Sequence, residues 1–336
     1  MIKRLISAFL CICPAMTAAE PDPGEIVAAH VLPGYEALAA ESARLDAAAS
    51  ADCRPGGDAL QAAYRDAFDA WMRVSHLRFG PSERNDRAFA LAFWPDDRGS
   101  TPKTLHRLVQ GRDPAIADAA AYAAVSVAAR GFYALEFLLF DPGFADPADA
   151  DYVCQLIRAV SADIAANAAA ILTDWRDEYA GLFAGAGGNE TYRSREEAIQ
   201  ELYKALTGGL QFTAETRLGR PLGTFERPRP ARAEARRSGR SLRHVVLSLE
   251  ATRELALALA EKGTGTAGEI AGAFANALEQ AERLDGDPVF AGVAEPQGRL
   301  RVEVLQQRID AVREAVGTTL GAELGVAQGF NALDGD

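Results

Sequence analysis

The chain has 336 residues, of which 49% are hydrophobic and 24% charged, a composition that can fill ordinary globular cores and excludes a disordered chain. Its 35 Lys+Arg against 47 Asp+Glu give a net charge of -12. A surplus of that sign argues against nucleic acid and anionic membrane as partners.

Lys3 and Arg4 precede an apolar stretch at 5–13, and small residues follow up to Ala19, before an acidic start at Glu20. These are the three regions of a secretory signal peptide, with an apolar part too short for a permanent membrane span. Residues 1–19 are therefore expected to be removed, taking Cys11 and Cys13 with them. The residues before those two cysteines lack the small side chains of a lipoprotein signal. The mature chain keeps Cys53 and Cys154, an even count suited to one disulfide in an oxidising compartment, or else to two separate buried thiols.

Apolar residues at helical spacing predict a first helix over 25–49, kinked or restarted near Pro33, and a second from Asp58, as its cap, through Tyr64, Phe68, Trp71 and Leu77. Residues 89–94 lead to a helix near Thr101-Pro102. Residues 115–140 then form an almost uninterrupted apolar run between Asp113-Pro114 and Asp141-Pro142-Gly143. That pattern predicts a single buried helix of about seven turns. Tyr133 and Glu136 lie three apart on one face of it, where a phenol and a carboxylate could meet one ligand, and Arg130 is expected to neutralise either.

A long alanine-rich helix is expected over 149–182, closed by the glycine-rich stretch 185–188, which is the best domain boundary. A helix over 194–218 follows, then a segment rich in proline and arginine over 219–239. Three amphipathic helices are expected over 242–262, 267–284 and 300–324. Strand-like alternation is nowhere sustained, so the reading is all-α with two packed four-helix-bundle-like domains, 20–187 and 188–336.

The four histidines, His30, His76, His106 and His244, show no metalloprotease spacing, and no Gly-x-Ser-x-Gly is present. Tyr133 with Glu136 is an all-oxygen pair that suits a hard cation such as ferric iron. The bland alternative is a core tyrosine beside a Glu136–Arg130 pair. The seven arginines at 227, 229, 232, 236, 237, 240 and 243 could bind an anion, but read better as a solvated linker that pairs with acidic neighbours.

The stretch Gly131-Phe132-Tyr133-Ala134-Leu135-Glu136-Phe137-Leu138-Leu139 resembles the Gly-x-His-x-x-Glu signature of the imelysin family, with tyrosine in the place of histidine. Phe79-Gly80-Pro81, Trp94-Pro95, the segment from Arg237 to Leu242 and the terminal Gly329-Phe330-Asn331-Ala332-Leu333-Asp334 are similar to family segments in the same order. The resemblance implies an all-helical protein of the bacterial envelope associated with iron uptake, working with envelope iron-uptake components through a cleft between its domains. Carried onto this sequence, it makes Tyr133, Glu136, Arg130, Trp94, Asp96, Arg240, Asn331 and Asp334 the candidate binding residues, with Tyr133 and Glu136 the candidate iron ligands. The family also carries a peptidase label. Its metallopeptidase reading, and a structural protein that has lost the site, stand as alternatives.

Overall fold

Helix α1 opens as Pro23–Ile26, where the Asp22 carboxylate accepts from the Gly24 and Glu25 amides. It passes through a π-turn at Val27–Val31 and continues as Leu32–Ala51. The computed structural model describes residues 20–260 and 265–326, so residues 1–19, where a signal peptide is expected, and the candidates Asn331 and Asp334 lie outside the described residues. Helix α2 is Asp58–Val74, with Gly57 rather than Asp58 at the cap position. Helices α3, Ser100–Gly111, and α4, Gly131–Phe140, lead to α5, which runs Ala150–Asp174 and through a π-turn at Trp175–Tyr179 into Ala180–Ala184.

The second half begins with α6, Arg195–Gln211, extended by the π-turn Phe212–Leu218 into Gly219–Leu222. Helices α7, Ser241–Leu259, and α8, Thr266–Glu282, follow. Helix α9, Pro296–Ala315, continues through Val316–Leu320 to Gly321–Glu323. No sheet forms among the described residues, and the protein is all-α.

The helices fall into two groups. In the first, α1 packs along α2 and α5, and α4 lies on α5; in the second, α7 is flanked by α6 and α8, and α9 by α8. Alternate faces feed each core, with Tyr35, Leu38, Leu45, Phe68, Trp175 and Ile164 buried in the first group and Leu202, Leu255, Phe274 and Ile309 in the second. Helix α7 also packs against α2. That seam is tied by Arg240 to Asp69, by Arg243 to Asp69 at 3.2 Å and by Arg73 to Glu250 at 2.6 Å. Cys53 and Cys154 are disulfide-bonded, which joins the turn after α1 to α5. Helix α5 with its continuation, Ala150–Ala184, is the one described helix with the length and apolarity to cross a membrane, but it serves here as a bundle helix.

The run 115–140 is not one helix. Polar side chains cut it into a 3-10 turn at Pro114–Ala117, a short helix at Ala119–Ala123 and a second 3-10 turn at Val127–Ala129 before α4. Asp118 takes the Ala121 amide and Ser126 takes the Ala128 amide, so both offer the backbone a local alternative to helix. Gly131 then adopts φ +72°, with its backbone against the carbonyls of Ala90 and Leu91, where a β-carbon would collide. Helix α4 keeps the expected burial, and before it in this run only Tyr122, Ala128 and Ala129 are buried. The alanines at 119–121 are exposed, and Tyr122 anchors the segment by donating to the Ala129 carbonyl at 2.7 Å.

Candidate functional site

Short α4 puts Tyr133 and Glu136 on one buried face, at 6% and 2% exposure. Each is met by the segment between α6 and α7 that composition marks as a linker. Ala233, Glu234 and Ala235 are buried, and the Ser241 hydroxyl holds the Glu234 carbonyl. The Tyr133 hydroxyl donates to Glu234 Oε1. Arg217, carried inward by the π-turn of α6, donates from Nε to Glu234 Oε2 at 2.9 Å. His244 Nδ1 lies 3.3 Å from that same oxygen, at an angle that makes no hydrogen bond, with its ring edge-on to Phe68. Glu136 Oε1 accepts from the Ser238 amide at 2.9 Å and is 2.8 Å from the Ser238 hydroxyl.

The two carboxylates are driven in opposite directions. Burial pushes Glu234 up, but the Arg217 guanidinium, with His244 and Tyr133 beside it, reverses this and lowers the carboxyl to about 2. Burial raises Glu136, and the Ser238 donors and the Arg237 charge recover only part of that shift. Tyr133 is pushed well above an ordinary phenol, first by burial and then by the Glu234 charge.

Trp94 completes the wall. Its ring stacks on Tyr133 at 6.1 Å between centroids, meets Phe212 edge-on at 5.9 Å and carries the Arg220 guanidinium over it. Trp94 and Tyr133 together stand between two cavities. The larger, about 400 Å³, is walled by Trp71, Phe79 and Phe212 with Arg217 and Glu234 at its base. The smaller, about 240 Å³, lies on the Glu136, Arg220 and Arg237 side.

A homology comparison settles the family. The imelysin family model matches residues 31–316. The chain belongs to the imelysin family. As a fold, this imelysin is similar to an imelysin-like protein from Psychrobacter arcticum 273-4, at 17% identity and a TM-score of 0.74 over 92% of this chain and 96% of that one. It is also similar to a putative iron-regulated protein A precursor from Parabacteroides distasonis ATCC 8503, at 14% identity and a TM-score of 0.70 over 90% and 98%. Among curated proteins, none matches.

Several candidates of this imelysin are placed otherwise than the sequence pattern implies. Arg130 does not reach Glu136. It pairs bidentately with Asp163 of α5 at 2.9 and 2.6 Å and donates to the Ala123 carbonyl, because it precedes Gly131 and points to the opposite face. Asp96 sits in the wall of the smaller cavity, but its oxygens are taken by the Ser100 and Thr101 amides at the start of α3. Arg240 is spent on Asp69 in the seam. The arginine-rich segment is solvated in part, with Arg227, Arg232 and Arg236 exposed, and it pairs with acidic neighbours, Arg237 with Asp141 at 2.6 Å and Arg232 with Asp97 at 3.7 Å, while Ala233 to Ala235 turn inward and Arg237 lies over Phe137 at 3.6 Å. Glu234, Arg217, Ser238 and His244 were not singled out from sequence as site residues.

The donors do not fit a resident ferric ion at Tyr133 and Glu136. The phenol is held in its protonated form and spends that proton on Glu234, while one oxygen of Glu136 is already saturated by Ser238. Among the described residues, no three His, Cys, Asp or Glu side chains converge to hold a metal.

Proposed function

We propose that this imelysin is an exported binding protein of the bacterial cell envelope that serves iron acquisition together with envelope uptake components, and that its ligand occupies the cavity beside Trp94. The supporting observation is the wall formed by Trp94 and Tyr133 between two cavities, with a saturated Tyr133–Glu234–Arg217 network behind it. Such a wall offers an aromatic face in front of a fixed polar base, the usual make-up of a small-ligand site. The basic, apolar and small-residue order of 1–19 supports export. The printed name of the Parabacteroides distasonis neighbour supports the link to iron.

Iron enters this reading as cargo. Ferric citrate, added to purified mature chain, is expected to raise its melting temperature by mass action and to quench tryptophan fluorescence. Trp94→Ala, at a half-buried position, should fold normally and weaken that response by about tenfold or more. Unchanged melting in the wild type would overturn the iron reading. Direct ligation by Tyr133 would add a visible charge-transfer band that Tyr133→Phe removes, and the hydrogen-bonded phenol predicts no such band.

The peptidase reading asks Glu136 and its neighbour to hold or activate a nucleophilic water. Glu136 is held by Ser238 and Tyr133 by Glu234, so the purified chain is expected not to cleave unfolded polypeptide. Chelator-sensitive cleavage that disappears in Glu136→Gln would restore the enzyme.

A further inference from the structure

We propose that His30 and His76 form a second site, for a divalent transition-metal ion that takes imidazole ligands, copper(II) or zinc(II), separate from the Tyr133–Glu234 network. The two histidines are 46 residues apart in sequence, yet their Nε2 atoms share a hydrogen bond at 3.3 Å, whose proton a bound metal ion would replace. Metal–nitrogen bonds of about 2.0–2.1 Å at a tetrahedral angle place two ligand nitrogens about 3.3–3.4 Å apart. The ring centroids are 5.5 Å apart with the planes inclined at 48°, so the rings meet nearly head-on and both must tilt for their lone pairs to converge on one ion.

The surroundings of the pair are those of a histidine metal site. His30 rides on the π-turn Val27–Val31, an inserted residue of the kind that recurs at functional positions in helices. Behind it, Glu254 Oε2 stands 3.7 Å from Nδ1, where a carboxylate favours the tautomer whose Nε2 carries the free lone pair. His76 follows α2 and is 6% exposed. Its Nδ1 has no hydrogen-bond partner. Gly209 of α6 makes room for the residue, since a β-carbon there would sit 2.6 Å from His76 Cβ.

Charge does not oppose a cation. The neighbouring arginines are already compensated, Arg217 by Glu234, Arg73 by Glu250 and Glu254, and Arg78 by Glu83. His76 also lines the 400 Å³ cavity, which can supply water to complete the coordination shell and a path by which an ion enters. Two imidazoles make half of a four-coordinate shell. Imidazole nitrogen selects copper, zinc or nickel over calcium or magnesium, and copper(II) stands highest in that order.

The test is electron paramagnetic resonance of tag-free mature chain with one equivalent of copper(II), supported by zinc competition. The expected spectrum shows hyperfine coupling to two imidazole nitrogens. His30→Gln should lose one of them and lower copper affinity at least about tenfold, and His76→Gln should do the same. His106→Gln, beside Phe144 and remote in the fold, should change nothing. Zinc that removes the copper signal would assign the site to both ions, and zinc that leaves it in place would assign it to copper alone. A copper spectrum and affinity unaltered in His30→Gln overturn the proposal, as does the absence of a saturable copper site in the wild type. Ferric citrate binding read at Trp94 is a separate measurement, so either assignment can fail without the other.

Discussion

Glu234→Gln is expected to destabilise the fold by about 3 to 5 kcal/mol, because it leaves Arg217, 6% exposed, as a buried cation without its counter-charge. Glutamine can still accept from Tyr133, so the loss reads the ion pair and not the phenol's hydrogen bond. Arg217→Met should cost a similar amount for the converse reason, a stranded carboxylate. The double variant should be much less damaged than the sum of the two, since the pair then leaves together. Strict additivity in chemical unfolding would show that the two groups are not coupled.

The same carboxyl gives the acid limb its shape. Glu234 is lowered from 4.5 to about 2 in the folded state, so its contribution is complete above an unfolded value near 4.5 and is lost as pH falls towards about 2. Glu136 has the opposite sign. Its folded carboxyl is raised, so protonation as pH falls favours the native state and partly offsets the loss at Glu234. Stability measured from about pH 7 to about pH 2 should therefore decline less steeply below pH 4.5 in Glu234→Gln than in the wild type, while Glu136→Gln should lose the gain that the wild type shows as pH falls towards 4.5. A wild-type slope retained in Glu234→Gln would place the acid sensitivity elsewhere.

The helices and their class are legible in the sequence because 3.6-residue periodicity and capping residues are local signals. Gly131 to Phe140 could be recognised by its own residues, and its end at Asp141-Pro142 is written in the chain. The breaks inside 115–130 were hidden by alanine. Its high propensity suggests a helix through Asp118 and Ser126, yet those alanines bury almost nothing that would hold such a helix against local side-chain caps. Arg130 and Glu136 are six residues apart, which on a helix is about 240° and so a different face. The partner of Arg130 is Asp163, on another helix, and no local spacing announces it.

Glu234 escaped for a related reason. Proline and arginine around it mark a linker by composition, and the segment has no period. One signal was available: Glu234 is the lone acid among seven arginines between 227 and 243, and it stands between two alanines. A single carboxylate flanked by small apolar residues is where such a segment can turn inward. His30 and His76 offered less still, being scattered singly and joined only by the packing of α1 on α2.

Reduction of the protein is expected to lower its melting temperature on the order of 10 °C through loss of the Cys53–Cys154 bridge. The bridge spans 101 residues, and a closed loop of about 100 residues removes roughly 4.7 kcal/mol of chain entropy from the unfolded state. Cys53 is 4% exposed behind the end of α1, and Cys154 lies in the first turns of α5. The bridge therefore fastens the first helix group across its two longest members, while α5 in turn carries Asp163 for Arg130. If chain entropy is the source, Cys53→Ala with Cys154→Ala should match the reduced wild type, and refolding should slow more than unfolding accelerates. Thiol titration of unfolded, unreduced protein should find none free. Two free thiols, or equal melting before and after reduction, would mean that the bundle is held by α1, α2 and α5 packing alone.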